Sequence, residues 1–259
     1  MSLFIHETAL VSPKALIGSN CHIGAFSVVG EQVVLGDNVR LESHVVIDGK
    51  TTLGEGTHVF PFVSIGLAPQ DLKYAGEPTA TEIGKNNQVR EFVTIHRGTV
   101  GGGGLTKIGD NNLLMAQAHV AHDCQIGNDV IMANAATLAG HVEIADRANI
   151  GAYSGVHQFC RIGLEAFVGG YSVVVKDAPP FAIIQGNHAK CFGLNRVGMK
   201  RRGYAKGTIE KLHHAFHLLL SAKLNTTQAV ERIKEEISGC AEVDLLIDFI
   251  ESSKRGVVK

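Results

Sequence analysis

The sequence predicts a parallel β-helix, a prism of stacked coils, followed by a small helical domain. Three observations predict it: a six-residue period in the aliphatic residues, turn-forming residues between them, and a change to helical spacing near residue 195. The first aliphatic run stands at Val11, Ile17, Ile23, Val29, Leu35, Leu41, Ile47, Leu53, Val59 and Ile65. A short second run is Ile83, Val89 and Ile95. The third runs unbroken from Ile108 through Leu114, Val120, Ile126, Met132, Leu138, Ile144, Ile150, Val156, Ile162 and Val168 to Val174.

A period of six fits neither the 3.6 of a helix nor the strict alternation of a strand. It fits one short strand and one tight turn, with the aliphatic side chain pointing inward. Glycine often follows that residue, as in Ile17-Gly18 and Ile126-Gly127, and Asn, Asp and Ala stand nearby to form the corners. Three units close a triangular coil, and stacked coils bury a continuous aliphatic column. The runs amount to about eight coils, a prism of roughly 40 Å at the spacing of parallel strands. The prism is placed at residues 1–194 and the helical domain at 195–259.

Two loops break the phase. The first, from about Gly66 to Glu82, contains "LAPQDLKYAGEPTAT"; the second, from about Gly98 to Lys107, contains "GGGG". Loops that leave a rigid scaffold are favoured carriers of function. The first, dense in Gln70, Asp71, Lys73 and Tyr74, reads as functional; the glycine run reads as a passive insertion. The repeat ends at "APPFAIIQGNHAK". In "KGTIEKLHHAFHLLLSAKL", residues 206–224, Ile209, Leu212, Ala215, Leu219 and Leu220 keep near-helical spacing. Asn225 or Thr226 can cap a second helix, "TTQAVERIKEEI", and "EVDLLIDFIESS" supplies a third.

The formal net charge is −1, so nothing general favours nucleic acid or an anionic membrane as a partner. Neither a basic-then-apolar leader nor a membrane-length apolar run is present, so the expected location is cytoplasmic, with no stable membrane insertion. The five cysteines (Cys21, Cys124, Cys160, Cys191 and Cys240) are odd in number and form no CxxC. They fit a reducing compartment better than a disulfide framework or a zinc–thiolate site.

Thirteen histidines need sorting. Residues 18 apart occupy equivalent places on successive coils, which brings His122, His141 and His157 near one edge. His119 shares the coil of His122; His96 cannot be phased across the second loop. The set reads in three ways: exposed corner residues, a zinc site, or acid–base machinery. The γ-class carbonic anhydrases use this fold and three histidines but pair two ligands as HxxxxH, whereas this chain has HxxH, and no metal site is expected. For acid–base work, "HVAHDC" supplies His122, which can take a proton near neutrality, and Asp123, which can fix its tautomer.

The stretches "PQDLKYAGEPT", "EFVTIHRGT", "AHVAHDC", "ATLAGHV", "VHQFCRIG", "QGNHA" and "GLN…GMKRRG", in that order across the whole chain, resemble the bacterial UDP-N-acetylglucosamine O-acyltransferase family that begins lipid A synthesis. The resemblance implies a left-handed coil, although parallel crossovers are generally right-handed. It also implies a homotrimer with sites between subunits. The implied reaction moves a (3R)-3-hydroxyacyl chain from acyl carrier protein to the sugar 3-hydroxyl of UDP-GlcNAc, and no cofactor is needed.

Carried onto this sequence, the resemblance makes His122 the general base, Asp123 its orienting carboxylate and the Gly140 N–H the oxyanion donor. Around the substrate it places His96, His119, His141, His157 and His188, with Gln70, Asp71, Lys73 and Gln158 toward the sugar and its N-acyl group. Asn195, Arg201 and Arg202 should meet the nucleotide or a phosphate. Lys206 extends a basic dock for the acidic carrier protein. The position of Gly170 limits acyl length in that family, and glycine there implies a long donor of about 12–16 carbons. Val197 departs from the pattern, where an acidic residue often stands. Three rivals remain. The N-acyltransferase acting later in the pathway carries an extra N-terminal domain for which these hexads leave no room. A coenzyme A-dependent hexapeptide acetyltransferase fits "MKRRG" and the helical tail less well. A γ-carbonic-anhydrase-like metalloprotein would hold stoichiometric zinc.

Overall fold

The computed structural model describes residues 3–220 and 223–259. Mostly two-residue strands alternate with tight turns, and all but the last pair in parallel with the strand one coil away, as Phe4 with His22 and Ile131 with Asn149. Three faces result. The first is an 11-stranded sheet, the second has nine strands and the third has eight. Together they form a left-handed parallel β-helix.

The six-residue phase survives in three dimensions. From Ile23 to Val174 every residue of the three aliphatic runs is buried, most of them fully. Val11 and Ile17, at the open N-terminal end, are only half-buried. Each buried Leu, Ile or Val contributes about 1.5–3 kcal/mol, so the axial column is the main source of stability. Corner residues such as Asn38 and Asp129 adopt φ of +59° and +55°, the left-handed region that Asn and Asp tolerate best.

Both loops leave from the edge between the second and third faces. The register shows their cost in chain length: Lys50 pairs with Ala80, and Ala80 with Leu105, in place of the usual interval of 18. The strands beside them are longer than expected, Lys50–Leu53, Ala80–Ile83 and Leu105–Ile108, and pair along four residues each. The excursions are therefore shorter than the sequence suggests, 68–79 and 97–104. The wider ladder replaces hydrogen bonds that the missing corners would have made.

The last strand, Lys190–Leu194, runs antiparallel to Ala182–Gln185 and ends the prism. Among the described residues four helices follow: α1 (Arg196–Arg201), α2 (Lys206–Leu220), α3 (Thr226–Glu236) and α4 (Ala241–Glu251). Helix α2 buries Ile209, Leu212, Ala215, Phe216, Leu218 and Leu219; of the helical stretch expected over 206–224, residues 221 and 222 lie outside the described residues. Asn225 caps α3 in a capping box with Gln228. Two buried carboxylates help hold the helices against the prism. Buried Glu165 accepts from Arg147 Nε (2.8 Å), Arg202 Nη1 (3.3 Å) and the Tyr204 hydroxyl (3.1 Å). Asp177 receives the C-terminal tail through Ser253 Oγ (2.7 Å) and through Val258 N–H on its carbonyl (2.8 Å). The tail thereby returns to the edge that carries the loops.

Candidate active site

The edge between the second and third faces gathers most of the predicted residues. Three successive coils place there His122 and Asp123, then Gly140 and His141, then His157, Gln158 and Phe159. Asp123, His141 and Phe159 occupy the left-handed corner position, with φ of +60°, +62° and +63°. The three histidines therefore share an edge but not a column. His141 stacks on Phe159 (4.4 Å, 10°), while exposed His157 lies two residues earlier on that coil. The ladder pairs Ile95 with Val120, which phases His96 as the sequence could not: it lies one coil below Ala121, its ring edge-on to His119 at 5.0 Å.

The core of the site is a buried carboxylate. Asp123 is 4% exposed, and its Oδ2 lies 2.8 Å from His122 Nδ1. Thr99 donates twice to the same carboxylate, from its N–H to Oδ1 (2.8 Å) and from its hydroxyl to Oδ2 (2.6 Å). The Asp123 N–H donates to Thr106 Oγ1 (2.8 Å). A carboxylate offers only acceptors, so His122 Nδ1 must donate. That leaves Nε2 with its lone pair, the state a general base needs. The His122 ring lies over Gly140: a Cβ there would come within 2.5 Å of Cε1 and 2.7 Å of Nε2. The N–H groups of Ala139 and His141 bond to Val156 and His122 carbonyls, whereas that of Gly140 meets no backbone carbonyl among the described residues. An unspent donor thus stands close to His122 Nε2.

Burial keeps the surrounding imidazoles neutral. His96, 6% exposed with Nδ1 unpaired, is lowered to about 4, by desolvation first and then by His119 and His122. His119, bonded through Nδ1 to Thr94 Oγ1 (2.6 Å), is lowered chiefly by burial and secondarily by His122. His141 is also lowered by burial, against upward pulls from Asp123 and Asp71. Asp71 belongs to the first loop and is half-buried, whereas Gln70 and Lys73 are exposed. Cys124 is fully buried, its thiol pushed up to about 12 by desolvation and donating to the Ala139 carbonyl. It packs and is no nucleophile.

One atom each from His122, Asp123 and His141 lies within 4.8 Å of the others, a spacing a cation could use. The hydrogen bonding argues for a proton relay instead. Both Asp123 oxygens already accept from Thr99, and the His122–Asp123 distance is that of a hydrogen bond.

Farther along the prism the expected residues separate. His188 is exposed in the turn before Lys190. Asn195 caps α1 by accepting from Gly198 N–H (3.0 Å). Asn195, Val197, Arg201 and Arg202 line a groove with Phe167 and Ile183. Within it, Arg202 is engaged by Glu165 and the Arg147 carbonyl, so Arg201 is the freer cation for a phosphate. Lys206 lies 3.6 Å from Glu210. Gly170 is exposed, and a Cβ there would meet the Ala152 carbonyl at 3.2 Å; Tyr171 beside it stacks on Tyr153 (5.1 Å).

Sequence reading missed Thr99, Gly102 and Arg255. The glycine loop, read as a passive insertion, closes over Asp123 so tightly that a Cβ on Gly102 would overlap its carboxyl group. The Gly98-Thr99 pair beside a glycine run was the available signal. Arg255, on the returning tail, places Nη2 3.3 Å from His157 Nδ1; nothing in the sequence announces that contact.

Residues 177–258 match the family described as Udp N-acetylglucosamine O-acyltransferase, domain 2. Residues 14–49 and 105–140 match the bacterial transferase hexapeptide repeat. Among solved structures, LpxA from Acinetobacter baumannii is 46% identical, with 99% of this chain and 100% of that chain covered and a TM-score of 0.96. LpxA from Bacteroides fragilis, a UDP-N-acetylglucosamine acyltransferase, is 39% identical over 99% and 100%, again at 0.96. The Arabidopsis UDP-N-acetylglucosamine acyltransferase is 32% identical over 99% and 100%, at 0.86.

Proposed function

Since the chain belongs to the UDP-N-acetylglucosamine O-acyltransferase family, we propose that it acylates the 3-hydroxyl of UDP-GlcNAc with a (3R)-3-hydroxyacyl chain from acyl carrier protein, the first step of lipid A synthesis. The observation that carries the chemistry is the line Thr99–Asp123–His122, ending beside the free N–H of Gly140.

A sugar hydroxyl attacks a thioester poorly until its proton is removed. His122 Nε2 takes that proton as the oxygen bonds to the thioester carbon, and Asp123 stabilises the imidazolium through Nδ1–H. The carbonyl oxygen becomes anionic, and the Gly140 N–H donates to it, an effect worth about 10²–10³ in rate. The tetrahedral species collapses, the carbon–sulfur bond breaks, and the protonated His122 returns its proton to the leaving thiolate. No covalent enzyme intermediate and no cofactor take part. His119 and His141, kept neutral by burial, offer hydrogen bonds to the sugar without repelling the imidazolium. Arg201 faces a phosphate, glycine at position 170 leaves room for a long acyl chain, and a homotrimer places the edge of one subunit against the next. No helix is long and apolar enough to cross a membrane among the described residues; a cytoplasmic location agrees with the two soluble substrates.

The test is product mass after incubation with UDP-GlcNAc, or with its 3-amino analogue, and hydroxyacyl carrier proteins of several lengths. His122→Ala should keep the melting temperature and lose about 10³-fold or more in rate. Full activity in that variant, or stoichiometric zinc by elemental analysis, would overturn the mechanism.

A further inference from the structure

We infer that Thr99 is a positioning residue for the transfer reaction and that the glycine loop at 97–104 exists to seat it. The inference rests on His122 acting as the base. Thr99 is 8% exposed and spends both of its donors on one carboxylate, its N–H on Oδ1 and its hydroxyl on Oδ2. Two donors from one residue fix the plane of the Asp123 carboxylate, which the single bond to His122 could not do alone. With that plane fixed, Oδ2 faces Nδ1, and the tautomer of His122 follows.

The loop is built for this contact. The Thr99 carbonyl accepts from the N–H groups of Gly102 (3.0 Å) and Gly104 (2.8 Å), which fold the chain back on itself. Gly103 and Gly104 take φ of +95° and +81°, open to glycine at little cost. Gly98 and Gly102 lie directly against the carboxylate: a Cβ on Gly98 would come within 2.8 Å of Oδ1, and one on Gly102 would overlap the carboxyl carbon. Backbone therefore reaches Asp123 where any side chain would push it aside. The covered carboxylate is shielded from water on that side, which strengthens its hydrogen bonds to Thr99 and His122.

The experiment compares Thr99→Val, Thr99→Ala and Thr99→Ser in the full-length protein, with His122→Ala in parallel. Val and Ala remove the hydroxyl and keep the N–H; Ala introduces no methyl groups against the carboxylate and so protects the test from misfolding. Both should lower kcat about tenfold, the scale of one hydrogen bond to a charged group. KM for UDP-GlcNAc and for the acyl carrier protein should stay within about twofold, since Thr99 holds Asp123 and not the substrates. Thr99→Ser restores the hydroxyl and should recover kcat. ¹⁵N spectra of labelled histidine should show His122 protonated at Nδ1 in the unaltered protein and mixed between nitrogens in the Ala variant. Unchanged kcat in Val and Ala, or a loss in Ser equal to theirs, would overturn the role of Thr99. Activity retained in His122→Ala would instead overturn the base on which it rests.

Discussion

Two edges of the same prism put side chains in the same strained backbone position and use them differently. Between the first and second faces the left-handed corners carry Phe26, His44, Phe62 and Phe92, then Gln117 and Ala135, then Tyr153 and Tyr171. These rings stack: His44 on Phe62 at 4.9 Å, Phe62 on Phe92 at 5.1 Å, Tyr153 on Tyr171 at 5.1 Å. Between the second and third faces the equivalent corners carry Asp123, His141 and Phe159, and the first is bound by hydrogen bonds from three donors. The third edge holds Asn20, Asn38, Asn86, Asn111 and Asp129, residue types that adopt this conformation most cheaply, and then Arg147, Glu165 and Phe181 toward the C-terminal end. A non-glycine residue there costs roughly 1–2 kcal/mol. One edge minimises that cost over its first coils, one offsets it at its aromatic corners by stacking, and one offsets it at Asp123 by fixing a carboxylate. The repeat sets the backbone, and the corner residue decides what an edge does.

The sharpest way to break this contrast is Asp123→Asn. The amide keeps the shape of the corner but presents an N–H₂ or a weaker acceptor to His122 and Thr99. The expected loss is about 10³-fold in kcat through the wrong tautomer of His122, with the melting temperature nearly unchanged. A rate near that of the unaltered protein would mean the carboxylate serves the fold alone. Next is Gly140→Ala. Its Cβ would lie 2.5 Å from His122 Cε1, so the ring must move off its bond to Asp123. About 10²-fold loss in kcat is expected, measured with saturating substrates. Little change would show that the base does not depend on its seat over Gly140.

How much of this was legible beforehand differs by edge. The aliphatic column was readable because six-residue spacing repeats over the whole prism and each strand needs only one inward residue. His122 and Asp123 were visible as neighbours, but their hydrogen bond depends on the corner φ of Asp123, which spacing does not give. Thr99 lies 24 residues from its partner, across a loop that resets the phase. Arg255 reaches His157 only because the tail pairs with Asp177. Contacts made within the repeat can be counted along the chain; contacts made by departures from it cannot. The same reasoning explains Arg202. The basic cluster was plain, but the Glu165 that engages it is 37 residues away.

The edge that carries Asp123 should also show a pH signature through His96. His96 titrates near 4 in the folded chain against an ordinary 6.5, because burial and the neighbouring imidazoles disfavour its charge. Above about pH 6.5 both states are neutral and His96 adds no pH dependence. As pH falls from 6.5 toward 4 the unfolded chain binds the proton first, so stability drops, by on the order of 2 kcal/mol between pH 7 and 5. Urea unfolding at both pH values measures the drop, and His96→Asn should reduce it. An unchanged pH slope in that variant would show that His96 is not the group responsible.

The smallest effect is expected on the aromatic edge, and it separates packing from backbone strain. Phe62 is half-exposed yet stacked on both sides, and its φ is +64°. Phe62→Ala removes two stacks and keeps the strain, which should destabilise by about 1 kcal/mol. Phe62→Asn removes the same stacks but puts at the corner a residue that tolerates left-handed φ, as the third edge does at every Asn corner. Its cost should be smaller, a few tenths of a kcal/mol. Denaturant midpoints measured side by side decide the matter, with kcat within about twofold in both, since Phe62 lies on another edge from His122. If Asn costs as much as Ala, stacking alone governs that corner, and the three edges do not share one backbone cost offset in three ways.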